Sequence, residues 1–123
     1  MTPNDITYKI IGVALNIHKT IGPGLLESAY EAALAYDLRL LGLNVKNQQP
    51  LPFIYNEIRM EVGYRLDLLV NDLVIVEIKS VENLAPVHHS QTLTYLKLSG
   101  KELALLINFN TTRLIDGIHR YKI

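Results

Sequence analysis

The stretch YRLDLLVNDLVIVEIKS, residues 64 to 80, decides how this chain folds. Leu, Val and Ile dominate it on both sides of an Asn71-Asp72 step, which predicts two short apolar strands joined by a turn. Three charged residues, Asp67, Glu77 and Lys79, stand inside those strands. Glu77 and Lys79 are two apart, so on a strand they project from one face, about 7 Å from each other along the chain. The face of Asp67 depends on the turn. A three-residue loop such as Asn71-Asp72-Leu73, with a left-handed residue, sets Asp67 opposite Glu77; a two-residue loop sends it to the other face unless a bulge intervenes.

Two readings compete for the trio. In the first, a strand end emerges into solvent and Glu77 and Lys79 form a surface ion pair worth under about 1 kcal/mol. The apolar context favours the second, because ionised groups between apolar faces are costly unless paired or metal-bound. Two carboxylates on adjacent strands also repel. A divalent cation resolves both problems: hard oxygen ligands suit Mg²⁺ or Mn²⁺, and a neighbouring ammonium can orient a water. Such a set is equipped for phosphodiester hydrolysis.

Upstream, TPNDITYKIIGVALNIHKTIG opens on Thr-Pro and carries Ile6, Ile10, Val13, Ala14 and Ile17 at three- and four-residue spacing, which predicts an amphipathic helix ending near Gly22. GPGLLESAYEAALAYDLRLLG predicts a second helix, with Leu26, Ala29, Tyr30, Ala33, Leu34, Leu38 and Leu41 along a broad face and Gly42 as its stop. NVKNQQPLPFIYN and EIRMEVGYRLDLLV read as extended; Pro50 and Pro52 make the first an edge strand. LVIVEIKS is the most central strand, being apolar on both faces before its charges. APVHHSQTLTYLKLSG returns to helical spacing between Pro86 and Gly100, ELALLINFN reads as a buried strand, and RLIDGIHRYKI as a terminal one. The order ααβββαββ, without repeat or linker, predicts a single α/β domain over residues 1–123.

Composition limits the partners. The chain has 123 residues, 49% of them hydrophobic, so one domain can bury roughly two-thirds of its unfolded surface. Lys and Arg number 12, as do Asp and Glu, so no net field advertises a polyanion or a basic partner. Arg59, Arg65, Lys97 and Lys101 are the basic residues that could gather locally. Absence of cysteine excludes disulfides and thiolate metal sites. The N-terminal segment has no basic leader region, and IIGVAL is too short to span a bilayer. These features read as a cytoplasmic chain with no membrane partner.

Three motifs resemble a known family. Asp67, nine intervening residues and Glu77-Ile78-Lys79 resemble the Asp…Glu-x-Lys signature of the PD-(D/E)XK nuclease superfamily, with Leu66 where that signature usually has proline. Gly24-Leu25-Leu26-Glu27-Ser28-Ala29-Tyr30 is similar to the G-x-x-E-x-x-Y motif of the small GxxExxY family. Gln91-Thr92-Leu93-Thr94-Tyr95 is similar to the Q-x-x-x-Y helix of RecB-like members. The resemblance implies a restriction-endonuclease-like three-layer core, a mixed sheet flanked by helices, and a metal-dependent nuclease acting on DNA, with RNA less favoured. It implies that Asp67 and Glu77 ligate Mg²⁺ or Mn²⁺ together with the backbone carbonyl of Ile78, that Lys79 positions the attacking water, and that Glu27 completes the metal shell. Glu27 equally suits a structural role at its helix N-terminus.

Tyr30, one turn after Glu27, either hydrogen-bonds the site or fills the core. Gln91 and Tyr95 share a helical stripe with His88. In the RecB-like pattern the Gln and Tyr face nucleic acid or brace the site, and His88 is the weaker candidate beside them. His88 and His89 point in different directions and do not form a joint metal site. A neutral domain binds duplex weakly on its own, so a homodimer or partner protein is a further expectation. The alternative function is a non-catalytic nuclease-like module that binds nucleic acid or a partner protein.

Overall fold

The computed structural model describes residues 1–123. Helix α1 (Pro3–Ile21) starts on a reciprocal cap, Thr2 Oγ1 accepting from the Asp5 N–H while Asp5 accepts from the Thr2 N–H. It buries Ile6, Ile10, Ala14 and Ile17. Helix α2 (Glu27–Leu40) buries Tyr30, Leu34, Ala35 and Leu38. Its buried face is narrower than the sequence predicts, since Leu26 and Leu41 flank the helix and stay exposed.

Strand β1 (Val45–Pro50) is followed by a small separate hairpin, β2 (Phe53–Tyr55) and β3 (Ile58–Met60), then by β4 (Arg65–Val70), β5 (Val74–Lys79), helix α3 (Pro86–Ser99), β6 (Leu103–Asn108), a 3₁₀ turn (Leu114–Gly117) and β7 (Ile118–Lys122). The main sheet runs β1-β4-β5-β6-β7. Helix α3 is the crossover between β5 and β6, the one parallel pair; the other neighbours are antiparallel. Setting the hairpin aside, the order is ααβββαββ, with β5 in the middle and β1 at the edge. The hairpin departs from the two long extended segments the sequence suggests. Strand β1 ends at Pro50, leaving Leu51 and Pro52 outside any strand, and Asn56 and Glu57, both left-handed, close a two-residue turn.

Alternation along the strands divides the core into two sides. Leu68, Val70, Val74, Val76 and Ile78 meet α1 and α2. Leu69, Ile75 and Ala104 meet Tyr95 and Leu96 of α3. The result is a mixed α/β three-layer fold consistent with a restriction-endonuclease-like core. Glu77 and Lys79 continue the face of Ile75, on the α3 side of the central strand. No helix is long and apolar enough to cross a membrane.

Candidate active site

The loop between β4 and β5 has three residues, Asn71, Asp72 and Leu73, and the first two are left-handed, with φ of 51° and 58°. Asn44 ties it down: its N–H donates to Asn71 Oδ1 at 2.8 Å, and its carbonyl accepts the Asn71 N–H at 2.7 Å. The resulting register pairs Val70 with Val74 and Leu68 with Val76. One step further it sets Asp67 across from Glu77.

The regular β4–β5 ladder stops there, and the two carboxylates replace it. The Asp67 N–H donates to Glu77 Oε2 at 2.9 Å, and the Ile78 N–H donates to Asp67 Oδ2 at 2.8 Å. Each acid is thereby held by the backbone of the opposite strand. In an extended strand the N–H and C=O of one residue leave by the same edge, so the Ile78 carbonyl opens toward the gap where Asp67 sits.

On its other side, Asp67 faces β1 at a second irregularity. The β1–β4 ladder pairs Asn47 with Leu68 and Gln49 with Leu66 but skips Gln48, which is left-handed at φ 48°. The Gln48 carbonyl accepts from Arg65 Nη1 at 3.1 Å. Its amide donates to Glu31 Oε1 at 2.7 Å and to Asp67 Oδ1 at 3.3 Å. Asn47 donates to the other Glu31 oxygen at 3.1 Å and accepts from Arg39 Nη2 at 2.6 Å. A polar chain therefore runs from Arg39 through Asn47, Glu31 and Gln48 to Asp67.

Glu77 is 4% exposed. Burial, followed by the charge of Asp67 beside it, pushes its acid up from 4.5 to about 8, and the Asp67 N–H and Lys79 only partly offset this. The surface ion pair of the first reading does not form: the chain's one ion pair joins Lys101 to Asp72 at 3.3 Å, at the β4–β5 turn. Half-buried Lys79 instead lines a cleft with His88, Gln91 and Tyr95. Gln91 Nε2 donates to the Tyr95 hydroxyl at 2.9 Å. Burial and the nearby Glu77 raise the Tyr95 phenol, which therefore stays protonated with its own proton free to donate. His88 Nδ1 accepts from the Ala85 N–H at 3.0 Å, capping α3. His89 turns away to Tyr121 and His119 on β7.

The GLLESAY stretch works as a clamp. Tyr30 is fully buried and stacks on Phe109 with ring centroids 4.4 Å apart. Its hydroxyl donates to the Gly22 carbonyl at 2.6 Å and accepts from the Leu25 N–H at 3.2 Å. Gly24, at φ 107°, makes the turn possible. The Leu25 carbonyl accepts from Ser80 Oγ at 2.7 Å, joining the start of α2 to the end of β5 next to Lys79. Tyr30 thus holds the loop and does not touch the trio. Glu27 is the exposed first residue of α2, whereas Glu31, one turn on, enters the polar chain to Asp67. Sequence reasoning missed Glu31; its only signal was the four-residue spacing from Glu27. Of the four basic residues, Arg65 reaches the site through Gln48, while Lys97 and Lys101 line a different groove.

No third acid or histidine joins Asp67 and Glu77 closely enough to form a metal cluster of side chains alone. Two carboxylates with a strand carbonyl nonetheless fit Mg²⁺, which keeps several waters and takes one or two carboxylates together with substrate phosphate oxygens. The family model of the PD-(D/E)XK nuclease superfamily matches residues 4–121. Searches of curated proteins and of solved structures found no match.

Proposed function

The chain belongs to the PD-(D/E)XK nuclease superfamily, and from that premise we propose that it hydrolyses phosphodiester bonds in DNA, RNA being the less favoured substrate. Within the superfamily we assign it to the GxxExxY branch, on Gly24 to Tyr30, and read residues 1–123 as one domain acting in the cytoplasm. The observation that carries the catalytic reading is the interlocked pair of Asp67 and Glu77. A buried carboxylate facing a second one, with no ion pair to either, is an environment that a bound cation would stabilise.

Asp67, Glu77 and the Ile78 carbonyl would hold Mg²⁺ or Mn²⁺. When bound, the ion supplies Lewis-acid polarisation of the scissile phosphoryl group. Lys79 donates to the attacking water and balances charge that builds on the phosphoryl oxygens. Gln91 fixes the Tyr95 hydroxyl so that its proton points to incoming acceptors. Gln48 orients Asp67 and couples it to Glu31. The G-x-x-E-x-x-Y motif assigns the helical acid to Glu27, while hydrogen bonding favours Glu31, and the two variants below separate them. With a neutral chain, a homodimer or partner protein supplies further phosphate contacts.

Metal binding is measured by thermal shift and titration calorimetry with Mn²⁺, on the wild-type chain and Asp67→Ala, with circular dichroism as the check on folding. The wild type gains stability as the ion concentration rises, and folded Asp67→Ala does not. An equal gain in both would overturn the assignment.

A further inference from the structure

The cleft that holds Lys79 is walled on its other side by aromatic rings from the hairpin base. It has a volume of about 610 Å³ and is lined by Phe53, Tyr64, Lys79, His88, Gln91 and Tyr95 among others, a size typical of ligand pockets. Phe53 and Tyr64 meet edge to face at 6.3 Å, and Tyr64 and Tyr95 at 6.0 Å with a 59° tilt. The rings form a run from the hairpin to the neighbourhood of Glu77. Its inner end, Tyr95, is buried; Tyr64 is 41% exposed.

We propose that this cleft takes an unpaired nucleobase, stacked on Tyr64 with the Phe53 ring against its edge, so that the strand is single-stranded where it meets Lys79. The inference rests on reading the site as one that contacts nucleic acid, and it names the form of that substrate. Lysine 79 is the one lysine or arginine lining the cleft, and the whole chain carries no net charge. Duplex binding by phosphate contacts needs several cations and falls steeply with salt. Stacking needs none: each base laid on an aromatic ring contributes about 1–3 kcal/mol, for any sequence, because every base has a π face. A paired base in a duplex has its faces covered by its neighbours, so only an unpaired nucleotide offers one to Tyr64. The polar lining suits a base edge without fixing its identity. The Gln91 carbonyl oxygen is free because its amide nitrogen serves Tyr95. His88, with Nδ1 accepting from the backbone, is left with Nε2 as its donor.

The test is fluorescence anisotropy of a labelled single-stranded DNA, the same sequence as RNA, and the DNA duplex, all in EDTA so that cleavage plays no part. The single strand is expected to bind at least about tenfold more tightly than the duplex, with a shallow salt dependence. Tyr64→Ala is expected to weaken single-strand binding by about 5- to 100-fold, while Tyr64→Phe, which keeps the ring, stays within about twofold of wild type. Phe53→Ala is expected to give a second loss, at the ring that packs against Tyr64. The DNA and RNA arms identify which polymer supplies the base. Equal affinity for duplex and single strand, an unchanged Tyr64→Ala with Phe53→Ala also unchanged, or no binding of any probe would each overturn the proposal. Failure of the nuclease reading looks different: single-strand binding would persist through Tyr64, with no cleavage when metal is added.

Discussion

Replacing Glu77 with glutamine removes one ionisation and keeps the oxygen that accepts the Asp67 N–H. Burial and the Asp67 charge raise the Glu77 acid from 4.5 to about 8. Between those values the folded chain holds a proton that the unfolded chain has released. The stability contributed by this proton is therefore fully present below about pH 4.5 and is lost as the pH rises through about 8. At about 1.4 kcal/mol per pH unit, the metal-free wild type should lose on the order of 3 kcal/mol between about pH 5 and pH 8. In a domain of this size that corresponds to a fall in Tm of roughly 10 °C. Glu77→Gln should lack this fall and be the more stable protein at pH 8 without metal. Urea unfolding of both proteins in EDTA at a series of pH values measures the difference, and comparing the two cancels the histidine titrations. For wild type alone, Mg²⁺ or Mn²⁺ at about 100 times its Kd should restore about 2.7 kcal/mol at pH 8. Parallel pH profiles for the two proteins would refute the reasoning, because they would mean that Glu77 ionises in the fold as easily as in water.

Two further changes test the supports of the site. Tyr30→Phe leaves the ring stacked on Phe109 but takes a donor from the Gly22 carbonyl and an acceptor from the Leu25 N–H; chemical unfolding should show a loss of about 1–3 kcal/mol. Glu31→Gln should weaken Mn²⁺ binding by about 10- to 100-fold through Gln48 and Asp67, and Glu27→Gln, at an exposed helix start, should change it by less than about threefold, both read by calorimetry. The reverse ranking would return the helical acid to Glu27.

The parts of this fold that were legible share a local cause. Helices α1 and α3 announce themselves by Thr-Pro and Pro at their starts and glycine at their ends, and the structure places Gly22 and Gly100 at the caps. The β4–β5 hairpin was legible because apolar strands flanked an Asn-Asp step. Putting Asp67 and Glu77 on one face demanded an odd loop or a bulge, and the loop has three residues. Less could be read where a residue's role depends on distant backbone. Asn56-Glu57 lacks the glycine that normally advertises a two-residue turn, so the sequence reads β2 and β3 as continuous with their neighbours. Spacing could not choose between a site and a core role for Tyr30, because Phe109 and the Gly22 carbonyl are brought to it only by the fold. Glu31 lies four residues from Glu27 and looked like any solvated helix acid. Only the left-handed turn at Gln48 connects it to Asp67. Leu26 and Leu41 continue the apolar stripe of α2 in sequence but fall outside the helix, where no layer covers them.

Cleavage by the purified chain tests the central claim most directly. Labelled single- and double-stranded DNA and RNA are incubated with Mg²⁺ or Mn²⁺ beside Lys79→Ala, a change at a half-buried position with no ion pair to lose. The account predicts metal-dependent cleavage of DNA by the wild type and its loss in the folded variant. Equal background in both proteins, at high concentration and with either metal, would contradict it and leave a nuclease-like module that binds without cutting.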